Sequence, residues 1–553
     1  MGHTRTSLVL LVVAALLLAP SLVLGTLISH SSPQNLTWGS QFADQIRAGV
    51  VYPRWLPDSF DGLGGPAFYF YAPISFWADA LLSLVTFDVF SVSYRQSLAS
   101  LLLLWASGLA MHAWLKAAAA SPRAAFYGAL AYMAAPYHLL DHYYRGAFAE
   151  FAAYAVLPLI ALGVHRVAES RRFGPVVLAG AYTALLMTHL PTALLISLTA
   201  LPMYVLYRGW LLGSVLPAAG FFVRCAMSGA LGLGLSAIFL VPALTLQGWI
   251  SSEKFWVPGY RIEDWLLLRF LLIPDPWFRL TDMMEIIAWL AAAYAIAAIG
   301  VAAALAQARG RPGWRSEAAF WALVCVVCLA LIAGLLPWFW QIPFVAKVQF
   351  PWRLMIAVEF AAITAICLAP WRRRARAALI IMGVAILALV PGVSEMALGI
   401  FVRTHVSMVQ QDTPQDLKQF MPAGYSQRPG AGYAELGLEP LKDVPAISCS
   451  PAAAVCSATA ERFGAMRLTV ESDAPTTVVL RRFFFPAWQI DGVAALVPTD
   501  PLKLVSFVAP AGRHTFHLRR TALPEEQWSW ALSGLSLILL LVWMAVEWRI
   551  RRS

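Results

Sequence analysis

Charge is what this chain has least of. Only 13% of its 553 residues are Asp, Glu, Lys or Arg, about half the share usual in soluble proteins. With 60% hydrophobic residues and a mean hydropathy of +0.67, that scarcity excludes a soluble globular domain. Cysteine is sparse too, at six residues. Cys225, Cys325, Cys328 and Cys367 sit in apolar runs and read as core thiols, so the CxxC spacing of 325 and 328 is not taken as redox or metal chemistry. Cys449 and Cys456 share a polar stretch, CSPAAAVC, where a disulfide is expected if that region faces an oxidising compartment. No repeat or low-complexity tract is present. The net charge of +10 comes from short clusters between apolar runs rather than from one basic face, which argues against a nucleic-acid partner.

What is abundant is apolar sequence in runs long enough to cross a bilayer. Such runs lie near 7–28, 94–116, 123–140, 148–165, 173–188, 190–207, 215–243, 285–306, 316–338, 353–370, 377–400 and 527–547, about twelve spans. The first has no clear A-x-A cleavage site and is taken as a retained helix. With twelve helices every basic cluster falls on the cytoplasmic face: Arg5, Lys116 with Arg123, HRVAESRR, Arg208, RGRPGWR, WRRRAR and the tail RIRRS. Both termini are then cytoplasmic. Counting SFWADALLSLVTFDVF (75–90) as a span would invert every later cluster. It is expected instead to lie along the outer surface, aromatic side toward lipid.

This divides the chain into a first helix (1–28), an outer loop with surface helices (29–93), a helical core (94–400), an outer block (401–526) and a last helix with a basic cytoplasmic tail (527–553). The outer block alternates with period two in MRLTVES, TTVVLRRFFF, LVSFVAP and HTFHLRR, which predicts a small β-sandwich-like domain. In VVYPRWLPDSFDGLGGPAFYFYAP, residues 50–73, the prolines stiffen the chain and the glycines turn it tightly. That segment is expected to be an ordered cover over a cavity.

The outer side collects Arg54, Asp58 and Asp61 from the first loop, Asp141, His142, Arg145 and Glu150 around the next, His189 in MTHLPT, and Lys347 and Arg353 in AKVQFPWR. Singly each is a solvated rim residue. Together they suit a lipid-linked phosphate, because Arg grips phosphate oxygens in a fork and a carboxylate can take a proton from an acceptor hydroxyl. The aromatics read first as interface anchors, and as sugar-stacking platforms second.

The order of first helix, long outer loop, alternating spans and C-terminal outer domain resembles the GT-C superfamily of polyprenyl-phosphate-sugar-dependent glycosyltransferases. More narrowly, FADQIRAGVVYPRWLPDSFDGLGGPAFYFYAP, APYHLLDHYYRGAFAEF, MTHLP and VQFPWR look like the bacterial membrane family labelled "6-pyruvoyl-tetrahydropterin synthase-related", a label that does not itself point to pterin chemistry. RRFFFPAWQIDG and APAGRHTFHLRR are similar to the C-terminal outer domain of a related family.

The resemblance implies a multi-pass protein of the bacterial plasma (inner) membrane, working with the bilayer, a polyprenyl-phosphate sugar and an extracytoplasmic acceptor. Asp58, Asp61, Asp141 and Glu150 are then the candidate catalytic acids. Arg54, His142, Arg145, His189, Lys347 and Arg353 are the candidate substrate-binding groups, and the cofactor, if any, is a divalent cation, Mg or Mn. GT-C enzymes carry a catalytic or metal-binding Asp early in the first outer loop. Counting back from Gly49 reaches Gln34 instead, and no carboxylate occurs between 29 and Asp44. Three functions follow: a glycosyltransferase, a non-catalytic GT-C-like accessory of surface-polysaccharide assembly, and a lipid-linked sugar transporter, for which Glu359 is the one clear carboxylate inside a span.

Overall fold

Apolar runs become helices, and prolines and glycines decide where they break. The computed structural model describes residues 3–213, 215–256, 261–273, 281–307, 316–371, 416–425, 441, 444–493 and 495–550. Among these, seven helices are long and apolar enough to cross a bilayer: Val92–Ala117, Phe148–Ala168, Leu190–Leu211, Leu216–Leu235, Met283–Ala306, Pro351–Leu368 and Pro524–Arg549. Shorter apolar helices, His3–Leu17, Gly174–Thr188 and Glu317–Ala333, occupy further expected spans. The chain is a multi-pass helical membrane protein. The run expected to span at 377–400 and the basic residues at 309–315, 372–376 and 551–553 lie outside the described residues.

The run at 123–140 is not one helix. Ser121 caps Pro122–Met133, and Ala135 turns extended ahead of Pro136, as a residue before proline tends to. A short helix, Pro136–Leu140, follows and runs into a π-turn, Asp141–Arg145, ended by left-handed Gly146. The first amides of that short helix need acceptors. Glu359 supplies them from helix Met355–Leu368, accepting from the backbone N–H of Tyr137 (2.8 Å) and His138 (3.3 Å). The same carboxylate accepts from the hydroxyls of Tyr154 (2.7 Å) and Tyr294 (2.9 Å).

The first loop forms helix Ser32–Arg47, a hairpin, and helix Ile74–Val85. The run 75–90 turns only part of its aromatic set outward: Phe76 is buried and Trp77 half-buried, while Phe87 and Phe90 are exposed with Leu81, Leu84, Val85 and Val89. Buried Asp79 explains which side turns inward, because its carboxylate must face Arg95, 2.8 Å away on helix Val92–Ala117.

Among the described residues, eight antiparallel strands, β1 (Ile447–Ser450), β2 (Val455–Ala460), β3 (Met466–Ser472), β4 (Thr476–Phe483), β5 (Trp488–Ile490), β6 (Val497–Pro498), β7 (Leu504–Ala509) and β8 (Gly512–Arg520), form two sheets, ordered β1-β4-β7-β6 and β2-β3-β8-β5. Strand β3 (Met466–Ser472) shows why: Met466, Leu468 and Val470 point inward while Arg467 and Glu471 point out. Cys449 in β1 (Ile447–Ser450) and Cys456 in β2 (Val455–Ala460) join the two sheets in a disulfide.

Most of the segment 50–73 brackets this domain, and only its end, residues 70–72, lines a cavity. Leu56 and Gly65 pair as a two-bond bridge, and a Cβ on Gly64 would meet the Trp55 ring at 2.5 Å. Trp55 packs edge-on to Trp488 (5.1 Å), and Phe60 to Phe483 (5.7 Å). Behind them Arg54 is buried, with Nε 3.0 Å from Glu526 at the start of the last helix and Nη2 donating to the Ile238 carbonyl. Tyr69 (2.7 Å) and Arg520 also reach Glu526. Removing one partner of such a buried pair costs about 3–5 kcal/mol. Glu526→Ala should therefore lower the apparent stability of the detergent-purified protein by about that much, read as a large loss in thermal unfolding, whereas half-buried Glu525→Ala should leave it near wild type.

Candidate functional site

Gly146 is the local cause of the site. Its φ is +58°, and a Cβ there would stand 2.3 Å from Ser29 Oγ and 2.7 Å from the Ser32 amide. Only glycine lets the first loop close on the π-turn. Ser31 N–H donates to the Arg145 carbonyl (2.9 Å), and Asn35 Nδ2 donates to the Gly146 carbonyl (2.6 Å). Helix Ser32–Arg47 is thereby stitched beside Arg145, and Gln34 and Trp38, one turn apart, face the same space.

That space is a cavity of about 700 Å³. Five of the expected residues line it: Arg145, Glu150, His189, Lys347 and Arg353. Arg145 Nη1 pairs with Asp141 Oδ1 and reaches Glu150 Oε2 (2.9 Å) and the Tyr137 hydroxyl (2.7 Å). Tyr137 in turn donates to Glu150 Oε1 (2.6 Å). Arg353 Nε lies 3.4 Å from Glu150 Oε2 and has no hydrogen-bond partner among the described residues. His189 has extended backbone between two helices, the second opened by Pro191, and its Nδ1 meets Thr192 Oγ1 at 2.7 Å. Burial lowers its imidazole to about 3, so it is neutral at physiological pH. Burial likewise pushes the Tyr71 hydroxyl, on the opposite wall, up to about 12.

Apolar side chains complete the wall. Leu190, Pro191, Leu194 and Met283 lie inside, and Leu244 and Phe344 are 63% and 51% exposed. A roof comes from residues 417–420, next to Asp416. Asp416 is buried and accepts from Trp38 Nε1 (3.0 Å), Ser59 Oγ (2.9 Å) and the Phe60 amide (2.7 Å). Burial raises its carboxyl against the pull of those three donors.

The other expected residues do not reach the cavity. Arg54 is sequestered by Glu526, Asp61 is held by Arg481 of the β-domain (2.6 Å), and Asp58 is exposed with its amide bonded to Gln41. His142 turns back to Ser21 (2.8 Å), and Asp141 stands behind Arg145 rather than on the wall. The reason is the bracket: residues 53–65 are consumed in docking the sandwich, and only Phe70, Tyr71 and Ala72 of that segment line the cavity. Conversely, Trp38, Gln419, Phe420 and Asp416 were not singled out. Helical spacing from Gln34 marks Trp38, but nothing local marks 416–420.

Among the described residues no three His, Cys, Asp or Glu gather as metal ligands. Asp141 and Glu150 both answer Arg145, so the side chains as arranged do not fit a divalent cation.

Arg145 balances two buried carboxylates, whereas Arg353 is the second cation on Glu150. Arg145→Ala should therefore destabilise the fold strongly, by about 3–5 kcal/mol, while Arg353→Ala should spare thermal stability and weaken binding of a phosphodiester lipid. Because His189 is held neutral, wild-type affinity for such a probe, whose own charge is constant, should stay flat from about pH 8 to 5.5. A rise toward low pH in a binding titration would show the imidazole protonating instead.

No family model matches the chain, and no curated protein matches it. Among solved structures, a mutant of the arabinofuranosyltransferase AftD from Mycobacteria is similar at a TM-score of 0.44 and 20% identity, over 70% of this chain and 27% of that one. This chain thus spans about a quarter of the length of that structure.

Proposed function

We propose that the protein is a GT-C-like membrane glycosyltransferase that takes a sugar from a polyprenyl-phosphate donor and passes it to an acceptor on the extracytoplasmic face of the bacterial inner membrane. The observation that carries this reading is the make-up of one cavity. Arg145, Lys347 and Arg353 line it, and so do the exposed apolar side chains of Leu244 and Phe344. An anionic head on a long apolar tail matches that combination. The Nε of Arg353, ion-paired with Glu150 but without a hydrogen bond among the described residues, is a donor suited to a phosphate oxygen.

In the reaction, an acceptor hydroxyl attacks the anomeric carbon, the bond from that carbon to the phosphate oxygen breaks, and polyprenyl phosphate leaves. Glu150 is the one carboxylate among the described cavity-lining residues and would take the acceptor proton. Arg145 and Arg353 would hold the leaving phosphate as its charge grows.

A second reading, a binder without transfer, is favoured by Gln34. It lines the cavity where the resemblance implies a carboxylate, and an amide cannot act as a base near neutral pH. The transporter reading has less support, since Glu359 already accepts from four donors.

Incubating purified protein with a labelled polyprenyl-phosphate sugar and cell-envelope acceptors separates these. The expected result is a covalent product whose rate falls by about 100-fold or more in Glu150→Gln and is unchanged in Asp58→Asn and Asp61→Asn. Donor binding with no product would favour the second reading.

A further inference from the structure

Two glutamines on the cavity wall are left with buried polar atoms that no described residue satisfies. Gln34 Oε1, on helix Ser32–Arg47, and Gln419 Oε1, on the roof, are both buried without a hydrogen-bond partner among the described residues. Both side chains line the same cavity, and Gln419 is only 9% exposed. A buried carbonyl oxygen without a donor costs about 1–3 kcal/mol, so a pair in one cavity is a feature that a ligand would relieve. Turning either amide end for end leaves a nitrogen in place of the oxygen, and the need for a partner remains.

The surroundings narrow the partner. Trp38 and Phe420 pack at 5.7 Å between ring centres, and Phe70 stacks on Phe420 at 6.0 Å with an interplanar angle of 14°. All three rings line the cavity, and no charged group belongs to this set. Gln419 is also anchored: Asp416, three residues before it, is fixed by Trp38, Ser59 and Phe60. Neutral acceptors on a rigid aromatic wall suit a ligand that brings hydroxyl donors and apolar C–H faces. A sugar ring has both.

We infer that Gln34 and Gln419 form a sugar-hydroxyl subsite, which reads the sugar of the lipid-linked donor while Arg145, Lys347 and Arg353 hold its phosphate. This rests on the donor class proposed above and assigns the glutamines a selective role in it. Gln34 is then a recognition residue rather than a failed base.

The test compares two kinds of probe on the full-length protein in detergent: undecaprenyl phosphate alone, and a panel of undecaprenyl-phosphate hexoses and pentoses. Wild type should bind at least one sugar-bearing lipid more tightly than the bare phosphate. Gln34→Leu and Gln419→Leu should each weaken that lipid by about three- to tenfold, the value of one neutral hydrogen bond, and leave the bare phosphate unchanged, which also reports an intact fold. Wild type showing no preference for any sugar-bearing lipid would overturn the subsite alone, as would variants that lose both probes equally or neither. Wild type binding no probe at all would overturn the donor class and the subsite with it.

Discussion

Arg145 is the constraint on which the rest of the site depends. Its guanidinium is buried and answers Asp141, Glu150 and Tyr137 together. Without it Asp141 would be a buried carboxyl with no cation beside it, and Glu150 would keep only Arg353. The π-turn that carries it fixes its height, and Gly146 next to it admits the first loop at van der Waals contact. Fold and cavity therefore share a single junction. A larger residue at 146 would push Gln34 and Asn35 away from Arg145 before any ligand arrived.

The β-domain closes the cavity at a distance. Its strands do not line the cavity; the bracket at 53–65 holds the sandwich through Trp55, Phe60 and Asp61. The same bracket supplies Ser59 and the Phe60 amide to Asp416, which positions the roof. Residues 421–423 extend the contact, with Ser251 N–H donating to Met421 O (2.8 Å) and Ala423 N–H to Trp249 O (3.1 Å). Domain docking and roof placement are thus parts of one hydrogen-bonded unit, tied to the last helix through Arg54 and Glu526.

Helices and strands were legible because period and length are local properties. The alternation in 466–472 and 504–509 is visible without any partner. Part of the site was legible too. The charge bias put Arg145, Glu150, His189, Lys347 and Arg353 on one side, and the structure gathers those five in one cavity. Arg54, Asp58 and Asp61 misled because a charged side chain in a loop carries no mark of its partner. The partners of Arg54 and Asp61, Glu526 and Arg481, lie more than 400 residues away in the sequence. Asp416 and Gln419 were invisible for the same reason. Their roles come from contacts with 38–60, and no pattern within 416–420 foretells them.

The amide at position 34 and the poor fit for a divalent cation are two sides of one electrostatic balance. Three cationic side chains, Arg145, Lys347 and Arg353, stand on the cavity wall against Glu150, with Asp141 one contact behind. Among the described lining residues the balance is positive, which suits the single negative charge of the proposed phosphodiester in a region of low dielectric. A carboxylate at 34 would cancel that surplus, and holding the phosphate would then call for an added cation. An uncharged residue at 34 keeps the positive surplus in the protein's own side chains. On this view the uncharged residue at 34 and the arginines and lysine around Glu150 work together, and a carboxylate placed at 34 would weaken phosphate binding unless a divalent ion came with it.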